Sequence, residues 1–583
     1  MTTRNLLSTG LLLLLVIGTA AAGTVDVPAL PEGAVAGPPA GSDTLTLDLV
    51  DAFRLALARN LDLQVGRYDL AGADSGILTR SGIFDPTLGA SVDGDYSESP
   101  SASQLEGAAV GQSRTTRLGL SLDQLLPTGT QLQVQLGSYR SETNSTFFYL
   151  NPRWNSGLTA SLRQPLLNGF GTLVNRANIV IAKNNRDQSA TTFAITVIST
   201  LLDVERAYWD LVAAREQVSV KERSVELATR LLNETGERVK VGTSAPIDLI
   251  QSEAGVATRR QELIYAKNAA ANAEDALKAL LGFDQPEEWL RSVDAAESYE
   301  TKPFPVDLAS AISTALANRP EIRQRELALE ALELNVKLAR NAVLPKLDLN
   351  ATYGFSGIGG KGSIEVPVID PDTGEPVVDP DTGFPLTEAV PIETGWIDSM
   401  KQIKNTDYPN WALGLTLSIP IGNNEAQGTV AQRRYELEKG KTQLTALRQQ
   451  VVYEVRRAVR ALDDGAAAID AAVASRQLAE RNLQAEYTKF NNGLSTNYQV
   501  LEIQQDLADA QLSELNARID YRKALAGYQA ATGTLLETIG VEIIDPGAAT
   551  PKHDYWKDIH WLQFVDLKAS SARATQPAAA SGG

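Results

Sequence analysis

The chain is internally duplicated, and this narrows its fold more than any other feature, because each copy has to supply the same elements in the same order. Asp48-Leu49, Ala52, Leu57-Ala58, Leu63, Pro86 and Leu88 recur as Asp307-Leu308, Ala311, Leu316-Ala317, Ile322, Pro345 and Leu347 at one constant offset without a gap. Farther along, Val204, Arg206-Ala207, Leu211 and Gly242 return as Val455, Arg457-Ala458, Leu462 and Gly493, again at a single offset. The copies occupy residues 45–283 and 306–540. Between them lies a Pro- and acid-rich linker or equatorial segment at 284–305, with an N-terminal linker at 23–44 and a C-terminal tail at 541–583. A chain of 583 residues would ordinarily suggest about three or four globular domains. The duplication replaces that expectation with two copies of one large unit.

Within each copy the pattern reads helix, strands, very long helix, tight turn, helix. Pro86 and Pro345 stop the first helical pattern, since proline interrupts helix hydrogen bonding and biases its predecessor to extended geometry. Beyond them the period becomes two. Leu88, Ala90, Val92 and Tyr96 alternate with Gly89, Ser91, Asp93 and Asp95. In the second copy Leu347, Leu349, Ala351, Tyr353 and Phe355 alternate with Lys346, Asp348, Asn350 and Thr352, and Trp411, Leu413, Leu415, Leu417 and Ile419 with Gly414, Thr416 and Ser418. The first copy adds a pair: Leu118, Leu120 and Leu122, then, after the turn Leu126-Pro127-Thr128-Gly129, Leu132, Val134 and Leu136, before a further run with Leu158, Ala160 and Leu162. Strands are thus expected over about 87–163, and over about 346–356 and 411–419. Runs of about 9 to 11 residues with one apolar and one polar face suit tilted transmembrane strands. One such strand fits the half-buried sheet of a soluble domain equally well; several of similar length, ending in aromatics, favour a barrel. About six strands per chain cannot enclose a water-filled pore, because about eight are filled by their own side chains. Several chains must therefore share one barrel if it conducts.

The helices set the length scale. From Thr172 to Arg238 there is no proline, and Val197, Val204, Leu211, Val218, Val225 and Leu232 fall every seven residues, with Leu201 and Tyr208 in the intervening core position, the pattern of a coiled-coil seam. Val455, Leu462, Ile469 and Leu483 keep the equivalent phase in the second copy, and Arg476 interrupts it. A helix of roughly 65 residues is about 100 Å long, far more than a compact domain needs. Each long helix turns back through a glycine, in Lys240-Val241-Gly242-Thr243-Ser244-Ala245-Pro246 and in Phe490-Asn491-Asn492-Gly493-Leu494-Ser495-Thr496. Glycine permits the left-handed conformation that ends a helix, and Ser or Thr can cap the next. The returning helices run to Gly282 and about Gly533. These turns can be mere reversals; their place at the extreme tip makes them candidate docking points.

Arg4, the apolar run Leu11 to Ile17 and Ala20-Ala21-Ala22 have the three-part layout of a secretory signal peptide, with cleavage expected near Ala22. No other stretch approaches a transmembrane helix in length and apolarity. The absence of cysteine excludes disulfides, thiolate metal sites and a lipidated cysteine after the signal. The net charge of -18 argues against a nucleic-acid partner. Asp370-Pro371-Asp372-Thr373-Gly374 and Asp379-Pro380-Asp381-Thr382-Gly383 have spaced carboxylates like a calcium loop, but lack its third acid and distal glutamate, and read as exposed turns on the outer side of the membrane. His553 and His560, with Trp556 and Trp561, lie in the tail without convergent partners for a metal, and the residues after Lys568 are expected to be disordered. No nucleotide loop, catalytic Ser/His/Asp arrangement or metal cluster is found, so neither an enzyme nor a cofactor is expected.

From Leu45 to Gly540 the chain resembles the TolC family of outer-membrane efflux proteins. The motifs are Leu45-Thr46-Leu47 with Ala52 and Leu55-Ala56-Leu57-Ala58-Arg59-Asn60; Gln164-Pro165-Leu166-Leu167-Asn168-Gly169-Phe170-Gly171; and the paired tips at Gly242-Thr243-Ser244 with Asp248-Leu249 and at Gly493-Leu494-Ser495. The resemblance implies a mainly α protein with a membrane β part: a homotrimer sharing one outer-membrane barrel, continuous with a long periplasmic helical tunnel. It implies a passive exit channel of a tripartite efflux or type I secretion system, surrounded by outer-membrane lipid. Its closed tip opens when a periplasmic adaptor docks and an inner-membrane pump engages. It also implies acidic side chains narrowing the tunnel just after the second tip glycine. Carried over, these positions are Gln499 and Glu502, so one acid is retained, with Asp506 a turn farther on. A ring of like charges there would attract cations; solvated helix-surface acids are the plainer reading. Gly242, Thr243, Ser244, Gly493, Leu494 and Ser495 become the candidate adaptor-docking residues. The extra strand pair departs from the family's four strands, so either the barrel is larger or that hairpin extends beyond the lipid. The rival reading is an exported coiled-coil structural or adhesion protein, for which paired amphipathic strands in both copies have no use.

Overall fold

A computed structural model of the chain describes residues 44–100, 107–295, 304–380 and 382–543. The signal sequence, both histidines and Asp381 lie outside the described residues. The first copy runs β1 (Thr44–Leu47), α1 (Leu49–Arg59), α2 (Leu61–Ser81), β2 (Thr87–Pro100), β3 (Val110–Leu125), β4 (Gln131–Thr143), β5 (Leu150–Pro165), α3 (Thr172–Asn175), α4 (Ala177–Lys240) and α5 (Pro246–Leu280). Next come α6 (Pro286–Trp289) and β6 (Ser292–Ala295). The second copy runs α7 (Leu308–Asn318), α8 (Pro320–Ala342), β7 (Lys346–Pro367), β8 (Thr387–Glu393), α9 (Trp396–Asn405), β9 (Pro409–Ser418), α10 (Asn424–Asn491), α11 (Asn497–Thr532) and α12 (Leu535–Ile539).

One antiparallel sheet takes the order β2-β3-β4-β5-β7, and the far edge of β7 is shared by β9 along Lys346–Phe355 and by β8 along Lys361–Pro367. Registers line up the two faces. Leu88, Leu122, Val134, Ala160, Tyr353 and Trp411 form one row across six strands, and Ala90, Leu120, Leu136, Leu158 and Phe355 the next. The opposite face carries Gly89, Ser121, Gln135, Thr159, Gly354 and Asn410, then Ser91, Gly119, Gly137, Gly157 and Ser356. One face is therefore a continuous apolar band and the other is small and polar. Both strands of the extra pair, β3 and β4, carry rows of this band, so the band runs across six strands of one chain. The outer edges of β2 and β9 have no strand partner among the described residues. On β9, Trp411 is 74% and Leu413 66% exposed, an apolar strand left bare.

Three features of the strand region were not legible as strands or helices. β7 continues to Pro367, well past residue 356, because β8 covers its edge there. β8 itself contains Pro391 and three charge-bearing or hydroxyl positions, a composition that suppresses strand propensity until a neighbouring edge supplies the hydrogen bonds. α9 lies in the same segment. In the Asp-Pro-Asp loops, Asp370 uses its carboxylate to accept the Asp372 N–H (2.9 Å), and Gly374 and Gly383 take positive φ of 71° and 67°, as turns require.

The long helices α4 and α10 have 64 and 68 residues, about 100 Å each. On α4, Val197, Leu201, Val204, Tyr208 and Leu211 are buried as the heptad demands. Beyond them the buried track is Lys221, Ser224, Ala228, Leu231 and Thr235, displaced by one residue from Val218, Val225 and Leu232. A slip of one residue turns the buried face by about 100°, and it falls where α4 changes neighbours. Its first half meets α2 and α8, through Arg186 with Asp74 and Asn184 with the Leu327 carbonyl, and its second half meets α5 and α11, through Lys221 with Glu262 and Thr235 with Asn497. On α10, Arg476 interrupts the apolar phase and is held by Glu514 of α11 and by Glu480 at 2.6 Å.

Midway along the body an equatorial core gathers Phe53, Leu63, Leu201, Tyr208, Trp209, Leu277, Leu281 and Val293. β1 pairs in parallel with β6, so the inter-copy segment is part of this core. Arg59 donates to both Glu288 oxygens at 2.7 and 2.8 Å and to Asp284 at 2.9 Å. The Arg59 hydrogen bonds hold the Glu288 carboxyl below its ordinary range against the opposing effect of burial. Gly282, at φ 74°, lets the chain pass directly over the Arg59 carbonyl, where a Cβ would collide with backbone.

Gly282→Ala is expected to destabilise the protein by about 1–3 kcal/mol, from αL strain. Gly236→Ala, inside α4 with only ordinary contact to Leu249 at 3.9 Å, should stabilise it by about 0.5–1 kcal/mol. Denaturant midpoints of the two variants check this, and equal shifts would contradict it. Because the Glu288 pKa is depressed on folding, its contribution is complete above pH about 4.3 and is lost as pH falls through the folded value. Glu288→Gln should therefore narrow the difference in Tm between neutral pH and pH about 4.

Candidate functional site at the helix tips

The two hairpin ends are built alike. In α4 the Thr243 N–H donates to the Arg238 carbonyl (2.8 Å) and the Gly242 N–H to the Val239 carbonyl (3.0 Å). In α10 the Leu494 N–H donates to the Lys489 carbonyl (2.9 Å) and the Gly493 N–H to the Phe490 carbonyl (3.1 Å). Gly242 and Gly493 have φ of 79° and 74°. This is the paired bonding of a Schellman stop, which needs a residue without a Cβ penalty at the left-handed position. The tips differ in how the next helix starts. Thr496 caps α11, accepting the Gln499 N–H at 3.3 Å. At the first tip the N-cap is Ala245 rather than Ser244; the Asp248 carboxylate accepts the Ala245 N–H (3.1 Å), and Pro246 fills the first turn. Val241, Ile247, Ile250, Leu494 and Tyr498 are exposed around the two turns.

Polar ties bind the hairpins to each other. Buried Asn497 donates to the Ser252 hydroxyl (2.5 Å) and the Asp248 carbonyl (3.0 Å), and accepts from Thr235 at 3.2 Å, joining α11, α5 and α4. Arg238 donates to the Phe490 carbonyl (3.2 Å) and Asn491 Oδ1 (2.9 Å) and lies 4.3 Å from the centre of the Phe490 ring. Buried Arg259 donates to the Leu501 carbonyl at 2.8 Å; burial lowers its pKa, against the attraction of Glu262 and Asp509. Glu486 is held below the usual carboxylate range by the Ser495 hydroxyl and then Lys489. An apolar cluster of Ala228, Leu231, Val256, Phe490, Val500 and Leu501 fills the space between.

The expected constriction residues separate here. Gln499 folds back into the capping box, its Oε1 accepting the Ser495 hydroxyl at 3.0 Å. Glu502 and Asp506 are exposed and have no ion-pair partner among the described residues. They continue along one face of α11 through Asp509, Ser513, Asn516 and Asp520, all exposed. Of the candidate docking residues, Gly242, Thr243, Gly493 and Leu494 are exposed, Ser244 and Ser495 partly so. Sequence reasoning missed the Asn497–Ser252–Thr235 tie and Arg259. The available signal was phase: Ser252 and Arg259 sit in step with the buried Val256 and Ala266 of α5, where an apolar residue would otherwise stand.

A sheet with one lipid-compatible face, joined to two hairpins of tunnel length whose turns meet at one end, defines the class of membrane-anchored helical ducts. The chain belongs to the outer membrane efflux protein family, whose model matches residues 124–283 and 311–534. It is 23% identical to the outer membrane protein TolC of Vibrio cholerae over 365 residues, 61% of this chain and 72% of that protein. To TolC of Escherichia coli it is 24% identical over 58% of this chain and 62% of that one, so the match spans less than two thirds of this relative. With the pyoverdine export outer membrane protein OpmQ of Pseudomonas putida it shares 27% identity over 38% of this chain and 44% of that one. Its fold matches the Campylobacter jejuni CmeC outer membrane channel with a TM-score of 0.59 at 18% identity, covering 84% and 86% of the two chains. A CusC structure matches with a TM-score of 0.59 at 15% identity, covering 86% and 96%.

Asn497→Ala leaves Ser252 and the Asp248 carbonyl without their buried donor, a loss of about 1–3 kcal/mol confined to the tip. Hydrogen exchange should accelerate across residues 235–252 and 490–504 while the equatorial core stays protected; uniform acceleration would contradict a local tie.

Proposed function

We propose that three copies of this chain close their sheets into one outer-membrane barrel above a shared helical tunnel, and that the assembly is a passive exit duct for a periplasmic adaptor and an inner-membrane pump. The observation that supports it is the continuous apolar face on a sheet whose two edges, β2 and β9, are both free. An open sheet edge in hydrocarbon leaves backbone groups without partners, at several kcal/mol each. β2 runs away from the helices and β9 returns toward them, so β9 of one copy meets β2 of the next in antiparallel sense. Three copies of six strands give about 18, the size at which barrels enclose water. The alternative of a coiled-coil structural protein leaves the apolar band without a purpose.

The polar face then lines the pore with small hydroxyl and amide side chains and with charges, among them Asp93, Asp123 and the ion pairs of Arg117 with Asp95 and of Arg163 with Asp348. Energy and selection fall to the pump. The relatives' names, pyoverdine export and toxin and drug export, fit a common exit serving different cargo. At the far end, Glu502 and Asp506 from three copies face the tunnel axis as rings of acid, and such rings favour cations. The exposed apolar turns beside Gly242 and Gly493 form the adaptor-docking surface.

Purified protein in planar bilayers should show long-lived, cation-selective steps of low conductance. Glu502→Gln should raise the conductance or reduce the cation preference; unchanged selectivity would move the constriction elsewhere. Leu415→Arg, on the apolar face, should cost about 2–4 kcal/mol and reduce membrane assembly, whereas Thr416→Arg on the polar face should assemble normally. Equal tolerance of both would overturn the barrel.

A further inference from the structure

The helix α9 sits on the outside of the sheet. Ser399 hydrogen-bonds Ser156 (2.8 Å), Trp396 Nε1 donates to Ser138 (3.0 Å), and Gln402 binds both the N–H and the carbonyl of Ile358 (2.9 and 3.0 Å). Gly357 and Gly359 make room, since a Cβ at either would run into the backbone of Ser399 or Gly395. Ser138, Ser156 and Gly357 are two residues from Leu136, Leu158 and Phe355 and share their face. The helix therefore lies on the lipid side, one row beyond the apolar band at the end away from the tunnel.

Its buried side, Ser399 and Ile403, faces the sheet. The side turned outward carries Ile397, 63% exposed, with Lys401 and Lys404. Asp398 accepts the Gly395 N–H (3.0 Å) and pairs with Lys401 (3.1 Å), so its carboxylate is spent on the helix start. Lys404 has no acidic partner among the described residues, although Asp407 and Glu393 flank the helix. Arg140, on the same face, pairs with Glu142 (2.9 Å) and lies over the Trp154 ring. In a chain of net charge -18, an outward side of apolar and basic residues, continuous with the lipid-facing band, has one fitting occupant.

We infer that α9 is an interfacial helix that binds phosphate-bearing lipid headgroups through Lys401 and Lys404 while Ile397 enters the acyl boundary. The inference rests on the barrel reading above. Lysines suit this task because an ammonium on a flexible stem reaches a phosphate as a point charge while the stem covers apolar surface.

The test titrates full-length protein in neutral detergent with bisphosphorylated lipid A and counts bound lipid by native mass spectrometry. Lys401→Gln/Lys404→Gln should bind about tenfold more weakly than wild type, and Lys439→Gln/Lys441→Gln, on α10, should match wild type. Equal binding by wild type and the α9 variant overturns the inference. So does displacement of the lipid by inorganic phosphate alone, which would mark a soluble-anion site. Loss of the oligomer in the α9 variant also overturns it, by making the helix a subunit contact. Wild type that conducts but binds no lipid A sinks the inference and leaves the duct standing; wild type that neither inserts nor conducts sinks the duct itself.

Discussion

Backbone hydrogen bonding in hydrocarbon governs the rest of this structure. With no water available, every N–H and C=O in the apolar band must find a partner in protein. The inner edges of the six strands do so within the chain, through antiparallel ladders from β2 to β9 whose one register shift among the described residues falls between Leu150 and Arg153 of β5. The outer edges cannot, so a single copy is an incomplete object and the membrane demands closure by others. Closure around an axis forces the helices that continue from the strands to stand around that axis as well. The tunnel is thus a consequence of the barrel, and the seam residues of α4 and α10 decide how tightly it winds.

The equatorial core makes that continuation rigid. β1, at the start of the first copy, pairs in parallel with β6 of the inter-copy segment, and Arg59 clamps the end of α1 to the residues after α5. Buried Tyr208 and Trp209 of α4 meet edge-on there, with the Tyr208 hydroxyl donating to the Leu47 carbonyl (3.2 Å). The tips, about 45 Å away along the same helix, therefore stand on a fixed collar.

Much of this was legible in the sequence because it is periodic. Repetition revealed two copies, alternation found the strands carrying Leu118 to Leu136, and Gly242 and Gly493 marked the turns. What escaped was aperiodic or conditional. β8 and α9 form because β7 offers an edge and two glycines, neither of which local propensity reports. The slip of the α4 seam past Val218 follows the exchange of α2 and α8 for α5 and α11 as neighbours, which the heptad of α4 alone does not report. Gln499, which the resemblance puts at a constriction, is drawn into a cap by Thr496 and Ser495, a competition that position alone cannot weigh.

The extra β3–β4 pair has a geometric consequence. Around the upper body each chain places four helices side by side, α2, α4, α8 and α10, and around the lower body α4, α5, α10 and α11. At about 9 Å between axes they occupy about 36 Å of perimeter. Six strands spaced about 4.8 Å and tilted about 40° occupy about 38 Å. The two perimeters agree per chain, whatever the number of chains, so the barrel can rest on the tunnel as a tube of even bore. Four strands at that tilt would cover about 25 Å and would have to lean much farther over, or pinch the bore where sheet meets helix.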